Sequence, residues 1–316
     1  MDSEEPQPPG KRQEYFSDGR KPVGNLIKTY LELELAGWKK ELICMQSADP
    51  IFCFISPAAH LAGKHQLRCF WALGGIHGEE PAPPDAFSEE IETFKYIGHK
   101  VPLILLPLLN PFAHRYDFRY ENEYRDFSKG KSVTSCAHLL TDSFNQPRSV
   151  EPESNTNRLL TDWLKENVYK YPPLLVIDHH EDRVPDKLQN LDSCYAYIKN
   201  KDLLNISVAQ EIIGIFKKHS LPVTGKGETR FGEEIQDGLV VNQSDNSIDE
   251  FLYSSNYFDS DLKVVRPKPS SKIGLVIETT IPYSPAKYIS LRNRINAHRE
   301  IIQNYYRFWN LIYPGA

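Results

Sequence analysis

A histidine and a glutamate three residues apart, His77 and Glu80, are the first side chains in this sequence that indicate a specific chemistry. They follow an apolar segment that ends in Gly74-Gly75, and glycines at the end of a strand allow the backbone to turn sharply. Side chains at positions i and i+3 lie on one face of a helical turn. Imidazole nitrogen and carboxylate oxygen are both zinc ligands. The pair therefore indicates part of a metal site, with a solvated surface pair as the alternative.

Further polar groups occupy equivalent positions, each directly after an apolar run typical of a buried strand. They are Asn110 after residues 101–109, the group Asp178-His179-His180-Glu181-Asp182 after residues 174–177, and Glu278 after residues 273–277. The carboxyl ends of parallel strands share one edge of a sheet, and ligands bind beyond that edge. We therefore expect these groups to meet His77 and Glu80 in one site.

Two imidazoles and one carboxylate form the ligand set of a catalytic zinc ion, which keeps a fourth position open for water. His77, Glu80 and a histidine of the 178–182 group would provide this set, so one Zn2+ ion is the predicted cofactor. Such an ion acidifies water and polarises a carbonyl group. Glu278 is placed to act as general base and acid. Cobalt and nickel suit the same ligands.

The elements that must position these residues alternate between strands and helices, a pattern that predicts an α/β fold with a mixed, mostly parallel sheet flanked by helices. Apolar runs predict strands at residues 41–46, 51–55, 66–73, 101–109, 174–177, 239–241 and 273–277. Apolar spacing predicts a short helix from residue 26 and further helices over 83–96, 156–169, 203–219 and 285–312. A Pro- and charge-rich tail over 1–22 precedes a single catalytic domain over 23–316.

Composition excludes several classes of function. The net charge of −5 gives no electrostatic case for a nucleic-acid partner, and no apolar run reaches the length of a membrane span. The five cysteines are scattered, without a Cys-x-x-Cys pair. Scattered, unpaired thiols are typical of a reducing compartment. With no basic and apolar leader at the start of the sequence, we expect a cytoplasmic protein.

In their order along the chain, these residues resemble the zinc carboxypeptidase superfamily, which includes murein-peptide amidases and the succinylglutamate desuccinylase/aspartoacylase deacylases. The family's first ligand pair is similar to His77-Gly-Glu-Glu80, and its Asn-Pro turn to Asn110-Pro111. Its Asp-x-His strand is similar to Asp178-His179-His180, and its catalytic glutamate, before a C-terminal helix, to Glu278-Thr-Thr. The resemblance spans about residues 66–310.

The resemblance implies a zinc ion bound by His77, Glu80 and His180, with Glu278 as general base and acid. His180 matches the family spacing better than His179, and neighbouring residues of a strand face opposite ways. The Arg-x-Asn element of the bacterial branch corresponds to Arg119 and Asn122, which implies that Arg119 stabilises the oxyanion. Arg125 is the alternative for that role.

One motif departs from the family. The Asn-Arg pair that grips a substrate's terminal carboxylate is Ser128-Lys129 here, and lysine lacks the planar fork of arginine. The neighbouring cations Arg115, Arg119, Arg125 and Lys129 still favour an anionic substrate.

These observations lead to a function hypothesis. The expected activity is cleavage of an amide bond beside a carboxylate-bearing group in a small peptide or an acylated amino acid. The alternatives are an N-acyl amino acid deacylase and a non-catalytic binding protein on the same scaffold. The oligomeric state stays open.

Overall fold

The computed structural model describes residues 14–65, 67–121, 130–184, 193–241, 244–282 and 289–313. Side chains are described for these residues except Arg183, Val184 and Pro282. The substrate-binding residues predicted from the sequence, Asn122, Arg125, Ser128 and Lys129, lie outside the described residues.

A ten-stranded sheet forms the centre of the described chain. Its strands are β1 (Lys39–Gln46), β2 (Asp49–Ile55), β3 (Cys69–Gly74), β4 (Leu103–Leu106), β5 (Pro173–Val184), β6 (Tyr195–Ile198), β7 (Lys226–Glu228), β8 (Glu234–Gln236), β9 (Leu239–Val241) and β12 (Ile273–Pro282). Across the sheet they lie in the order β1-β2-β4-β3-β5-β12-β6-β9-β8-β7. A separate pair joins β10 (Asn256–Asp259) to β11 (Val264–Pro267). The four neighbours β4, β3, β5 and β12 are parallel, whereas β1, β2 and the far edge contain antiparallel pairs.

Helices cover both faces of this sheet. They are α1 (Val23–Leu31), α2 (Pro57–Lys64), α3 (Ala82–Glu89), α4 (Ile91–Ile97), α5 (Pro111–Tyr116), α6 (Asn155–Lys170), α7 (Leu203–Lys218), α8 (Ile248–Tyr253), α9 (Leu291–Gln303) and α10 (Tyr305–Ile312). Along β3, Phe70 and Ala72 join the core formed with α1, α3, α4, α7, α9 and α10. Trp71 and Leu73 join the core formed with α2, α6 and α8. Burial on both faces explains the continuous apolar runs, and the predicted α/β fold with a mixed sheet is confirmed.

Two site residues lie within strands rather than beyond their ends. We predicted that the strands before His180 and Glu278 would end at residues 177 and 277, but β5 continues to Val184 and β12 to Pro282. The two strands stay in parallel register along this extension, with Glu278 opposite His180. The polar side chains of this extension have charged and polar neighbours on both faces of the sheet. The backbone hydrogen bonds between β5 and β12 therefore continue beyond the end of the apolar sequence.

Two predicted helices were wrong in their extent. The helix predicted over 285–312 is divided into α9 and α10 at Asn304, whose side chain donates to the Glu300 carbonyl and so competes with helical bonding. Residues 285–288 lie outside the described residues. The helix predicted over 83–96 is divided into α3 and α4 at Glu90, where ψ is +23°.

Other boundaries also differ. The run 101–109 forms a strand only over Leu103–Leu106, because the chain then turns into the site. The strand predicted over 66–73 begins at Cys69, and α2 and α5 were not predicted at all.

The division into a tail over 1–22 and a domain over 23–316 stays a prediction. Residues 14–22 of that predicted tail are described, and Arg20 within them is buried. Among the described helices, none combines the length and the apolar character that crossing a lipid bilayer demands. The cytoplasmic location stays a prediction.

Candidate metal centre

The ligand loop, residues 75–80, brings His77 and Glu80 back over the end of β3. Gly75 has φ +65°, a conformation that favours glycine, and its carbonyl accepts a hydrogen bond of 2.8 Å from the Asn110 backbone. The Asn110 side chain donates to the Ile76 carbonyl at 3.2 Å. Asn110 is fully buried, so these hydrogen bonds between the turn and the amide are shielded from solvent.

The three predicted ligands meet where the loop after β3 lies next to β5. The Nδ1 atom of His77 is 2.6 Å from Glu80 Oε1, and the Nδ1 atom of His180 is 3.0 Å from Glu80 Oε2. One ligand atom from each residue lies within 4.8 Å of the other two. Two imidazole nitrogens and a carboxylate facing one another form the donor set of a catalytic zinc site. The residues therefore fit a divalent cation.

Asp178 lies behind His180 on the same face of β5. Its Oδ2 atom is 3.2 Å from His180 Nε2, the ring nitrogen that points away from Glu80. Asp178 is completely buried, and neither of its oxygens has a hydrogen bond of good geometry among the described residues. Carboxylates in this position commonly orient a metal-binding histidine and fix its tautomer.

The electrostatics of the ligands follow from their burial. Burial and the nearby Arg119 charge lower the pKa of His77 to about 3, which keeps its ring neutral, as a metal ligand must be. Burial also lowers the pKa of His180, but the Asp178 and Glu80 carboxylates outweigh it, so the net pKa lies well above its ordinary value. Burial raises the pKa of Glu80, but the two imidazoles lower it by more, so the net pKa lies well below its ordinary value. Without a cation, a proton on His180 therefore compensates the two carboxylates.

His179 faces the opposite side of the sheet, as strand alternation predicts. Its Nδ1 atom is 2.8 Å from His298 Nδ1, and its Nε2 atom is 2.5 Å from the Tyr305 hydroxyl. Its ring also packs against Phe87. The structure therefore brings His180, and not His179, to Glu80.

Arg119 lies beside the ligand carboxylate. Its Nη1 atom donates to Glu79 Oε1 at 2.9 Å and to Glu80 Oε1 at 3.2 Å, and its guanidinium packs near the Tyr120 ring. Arg115, which we expected among the same cations, instead pairs with Asp49 and Glu14 away from the ligands. That part of the prediction was wrong, because α5 directs Arg115 towards β2.

A cavity of about 470 Å³ opens over these residues, and Glu278 lines it. Glu278 lies opposite His180 on one side and Tyr195 on the other, and its Oε2 atom has no hydrogen-bond partner among the described residues. Burial raises the pKa of Glu278 well above its ordinary value, although the charges of His180 and, less strongly, Arg230 lower it. An unsatisfied carboxylate that favours a proton is suited to proton transfer.

Sequence reasoning missed the far wall of the cavity. Arg230, in the turn between β7 and β8, pairs with Asp182 at 3.0 Å, and the Tyr195 hydroxyl donates to Asp182 at 2.7 Å. Asp182 belonged to the polar group that the sequence singled out, so its position could have been predicted. Arg230 had no such signal, since short strands and turns surround it.

The sequence matches no family model and no curated protein. Solved structures do match the fold. A candidate metallopeptidase of Shewanella amazonensis aligns over 92% of both chains with a TM-score of 0.65 and 18% identity. One of Shewanella baltica aligns over 90% of both chains with a TM-score of 0.64 and 17% identity.

A metallo-carboxypeptidase of Pseudomonas aeruginosa, solved with (2-guanidinoethylmercapto)succinic acid, is also similar. It aligns over 92% of this chain and 68% of its own, with a TM-score of 0.51 and 11% identity. At these identities the likeness concerns the fold. The resemblance predicted from the sequence is confirmed at that level: the chain has the fold of the metallopeptidases and metallo-carboxypeptidases.

Proposed function

We propose that this protein is a zinc-dependent amidohydrolase that cleaves an amide bond next to a carboxylate-bearing group. The observation that carries the proposal is the convergence of His77, Glu80 and His180 on one wall of a cavity that Glu278 also lines. The cavity volume of about 470 Å³ lies within the range of small-molecule sites. Metallopeptidases with the same fold support the hydrolase class.

His77, Glu80 and His180 would hold the ion, and a bound zinc ion supplies Lewis acidity towards a carbonyl group and water. In this proposal Glu278 takes a proton from the attacking water and returns it to the leaving nitrogen. Its position opposite His180 keeps it next to the ligands, and no described residue forms a competing hydrogen bond with its Oε2 atom. The raised pKa of Glu278 suits the second transfer, in which it acts as an acid.

Arg119 is the proposed electrostatic stabiliser of the oxyanion. Its Nη1 atom is held by Glu79 and Glu80 at the cavity wall, so the guanidinium is positioned before substrate arrives. A fixed cation loses little free energy to reorganisation when negative charge develops. Arg125, the alternative, lies outside the described residues.

The substrate is proposed to be a small peptide or an acylated amino acid. The Ser128-Lys129 sequence favours the acylated amino acid as the second candidate, because a lysine grips a terminal carboxylate less selectively than an Asn-Arg pair. An N-acyl amino acid deacylase would use the same metal ligands and the same Glu278. The two candidates differ only in the substrate pocket.

The test combines metal analysis with a substrate panel. Purified protein is expected to bind one zinc ion and to hydrolyse peptides with a free C-terminus, acylated amino acids, or both. Hydrolysis of acylated amino acids alone would replace the peptidase assignment with the deacylase. Glu278→Gln keeps the shape of the side chain and should lower kcat by about a hundredfold or more.

The matched control is Glu234→Gln, an exposed glutamate of β8. It should leave both zinc content and turnover unchanged. A protein that binds zinc but hydrolyses nothing in the panel would favour a binding protein on this scaffold. A folded protein that takes up no zinc at micromolar concentration would refute the proposal.

A further inference from the structure

An arginine from the predicted tail, Arg20, is buried next to the metal centre. Its side chain is 1% exposed. The Nη1 atom donates to the Gly78 carbonyl at 2.7 Å and to the His114 carbonyl at 2.9 Å. The Nη2 atom donates to Asp18 and to Asp117, each at 2.6 Å. One guanidinium therefore joins the N-terminal segment, the ligand loop and the end of α5.

The hydrogen bond from Arg20 to the Gly78 carbonyl is made within the ligand loop, between the two predicted ligands of that loop. Gly78 directly follows the ligand His77 and is two residues before the ligand Glu80, so its peptide determines how the two side chains are aimed. On its other side Gly78 packs against α5, and a Cβ atom there would be only 1.9 Å from the Ala113 carbonyl carbon. The loop is thus held between a helix backbone and a fixed cation.

Asp18 and Asp117 stabilise the buried charge of Arg20 by forming ion pairs with it. Burial lowers the pKa of Arg20, but the two carboxylates raise it above the ordinary value. Asp117 has φ +58° at the end of α5, which places its carboxylate beside the guanidinium. A buried charge with an ion-pair partner and hydrogen bonds is tolerated, whereas burying the same charge without partners costs much free energy.

The surrounding segment is anchored independently of Arg20. The Lys21 backbone donates to Asp85 of α3 at 3.2 Å, and the Tyr15 backbone donates to the Arg115 carbonyl at 2.8 Å. Residues on both sides of Arg20 are therefore hydrogen-bonded to the domain, so the position of the guanidinium beside the ligand loop is fixed.

We propose that Arg20 is a positioning residue of the metal centre: by holding the Gly78 carbonyl, it keeps His77 and Glu80 aimed at a common ion. Residues 14–22 then belong functionally to the catalytic domain. The inference depends on the proposed function only in requiring that the centre binds a metal. It does not depend on which substrate is cleaved.

The experiment measures zinc affinity by competition with a chromogenic chelator in the full-length protein. Arg20→Lys keeps the charge but cannot reproduce the fork that reaches two carbonyls and two carboxylates. Changes in residues that orient metal ligands typically weaken binding by about 10- to 100-fold. We expect zinc to bind at least about tenfold more weakly to Arg20→Lys, and the absorption spectrum of the cobalt-substituted variant to change.

The matched control is Arg115→Lys. Arg115 also pairs with two carboxylates and lies in α5, but its partners among the described residues are Glu14 and Asp49, outside the ligand loop. Its zinc affinity and cobalt spectrum should equal those of the wild type. The free energy of unfolding of both metal-free variants separates a loss of positioning from a general loss of stability.

Zinc binding by Arg20→Lys within twofold of the wild type would overturn the inference. If Arg20→Lys does not fold, Asp117→Asn decides instead, because asparagine tolerates the left-handed backbone and the change removes the ion pair between Asp117 and Arg20. A several-fold loss of affinity in Asp117→Asn supports the inference, and an unchanged affinity overturns it. A wild type that binds no zinc refutes the proposed function and this inference together.

Discussion

Replacing Asp178 with asparagine should weaken metal binding without disturbing the fold. The change keeps the size of the side chain, so an amide oxygen can remain at the present distance of 3.2 Å from His180 Nε2. What disappears is one completely buried negative charge. That charge makes His180 more basic and stabilises the charge of a metal bound to its other nitrogen.

The expected magnitude lies between two limits. Opposite unit charges at this separation interact by about 5 kcal/mol at an effective dielectric constant of about 20. That value is a ceiling, because the metal-bound imidazole is neutral and the ion lies beyond it. Loss of an orienting partner typically reduces affinity by about 10- to 100-fold, which is about 1.4–2.7 kcal/mol. We expect a loss in this lower range for Asp178→Asn.

The assay is zinc competition at constant pH, with Asp49→Asn as the control. Asp49 is also a buried carboxylate paired with a cation, Arg115, but it is not part of the metal centre. Asp49→Asn should bind zinc as the wild type does. An Asp178→Asn variant with unchanged affinity would refute the reasoning that this carboxylate supports His180.

Further predictions concern stability. Arg294→Met leaves the buried Glu181 carboxylate without its ion pair and should lower the free energy of unfolding by about 3–5 kcal/mol, measured by urea denaturation. Burial raises the pKa of Asp85 to about 7, so the folded state binds a proton that the unfolded state has released. Between about pH 4 and pH 8, the wild type should therefore lose up to about 4 kcal/mol of stability relative to Asp85→Asn. Gly78→Ala should cost about 3 kcal/mol or more because its methyl group meets the backbone of α5. Gly24→Ala, in an open position of α1, should stabilise slightly.

For each of these stability predictions, one result would contradict the reasoning. Equal urea midpoints for Arg294→Met and the wild type would mean that the ion pair is not required in the folded protein. A stability difference between the wild type and Asp85→Asn that does not vary with pH would contradict the raised pKa. A Gly78→Ala variant as stable as Gly24→Ala would show that the ligand loop can move away from α5.

The candidate metal ligands that the structure brings together could be found in the sequence because each belongs to a local pattern next to an apolar run. His77 and Glu80 follow a Gly-Gly turn, and His180 comes shortly after the apolar run 174–177. The side-chain alternation that separates His179 from His180 is also local, since it depends only on extended backbone. The same reasoning failed at strand ends, because β5 and β12 continue through polar residues that tertiary neighbours satisfy.

Arg20 could not have been predicted in this way. Two of its partners are main-chain carbonyls, of Gly78 and His114, which carry no signal in the residue types. Its Pro- and charge-rich surroundings suggest a tail when read locally. Arg230 was missed for a similar reason, because it reaches Asp182 from a hairpin whose strands are only three residues long.

Anomalous X-ray diffraction at the zinc edge, from crystals grown with zinc, would locate the ion itself. We expect one strong peak within coordinating distance of His77 Nδ1, His180 Nδ1 and the Glu80 carboxylate, on the cavity side that Glu278 faces. A well-ordered site with no peak there, or a peak bound by other residues, would contradict this expectation.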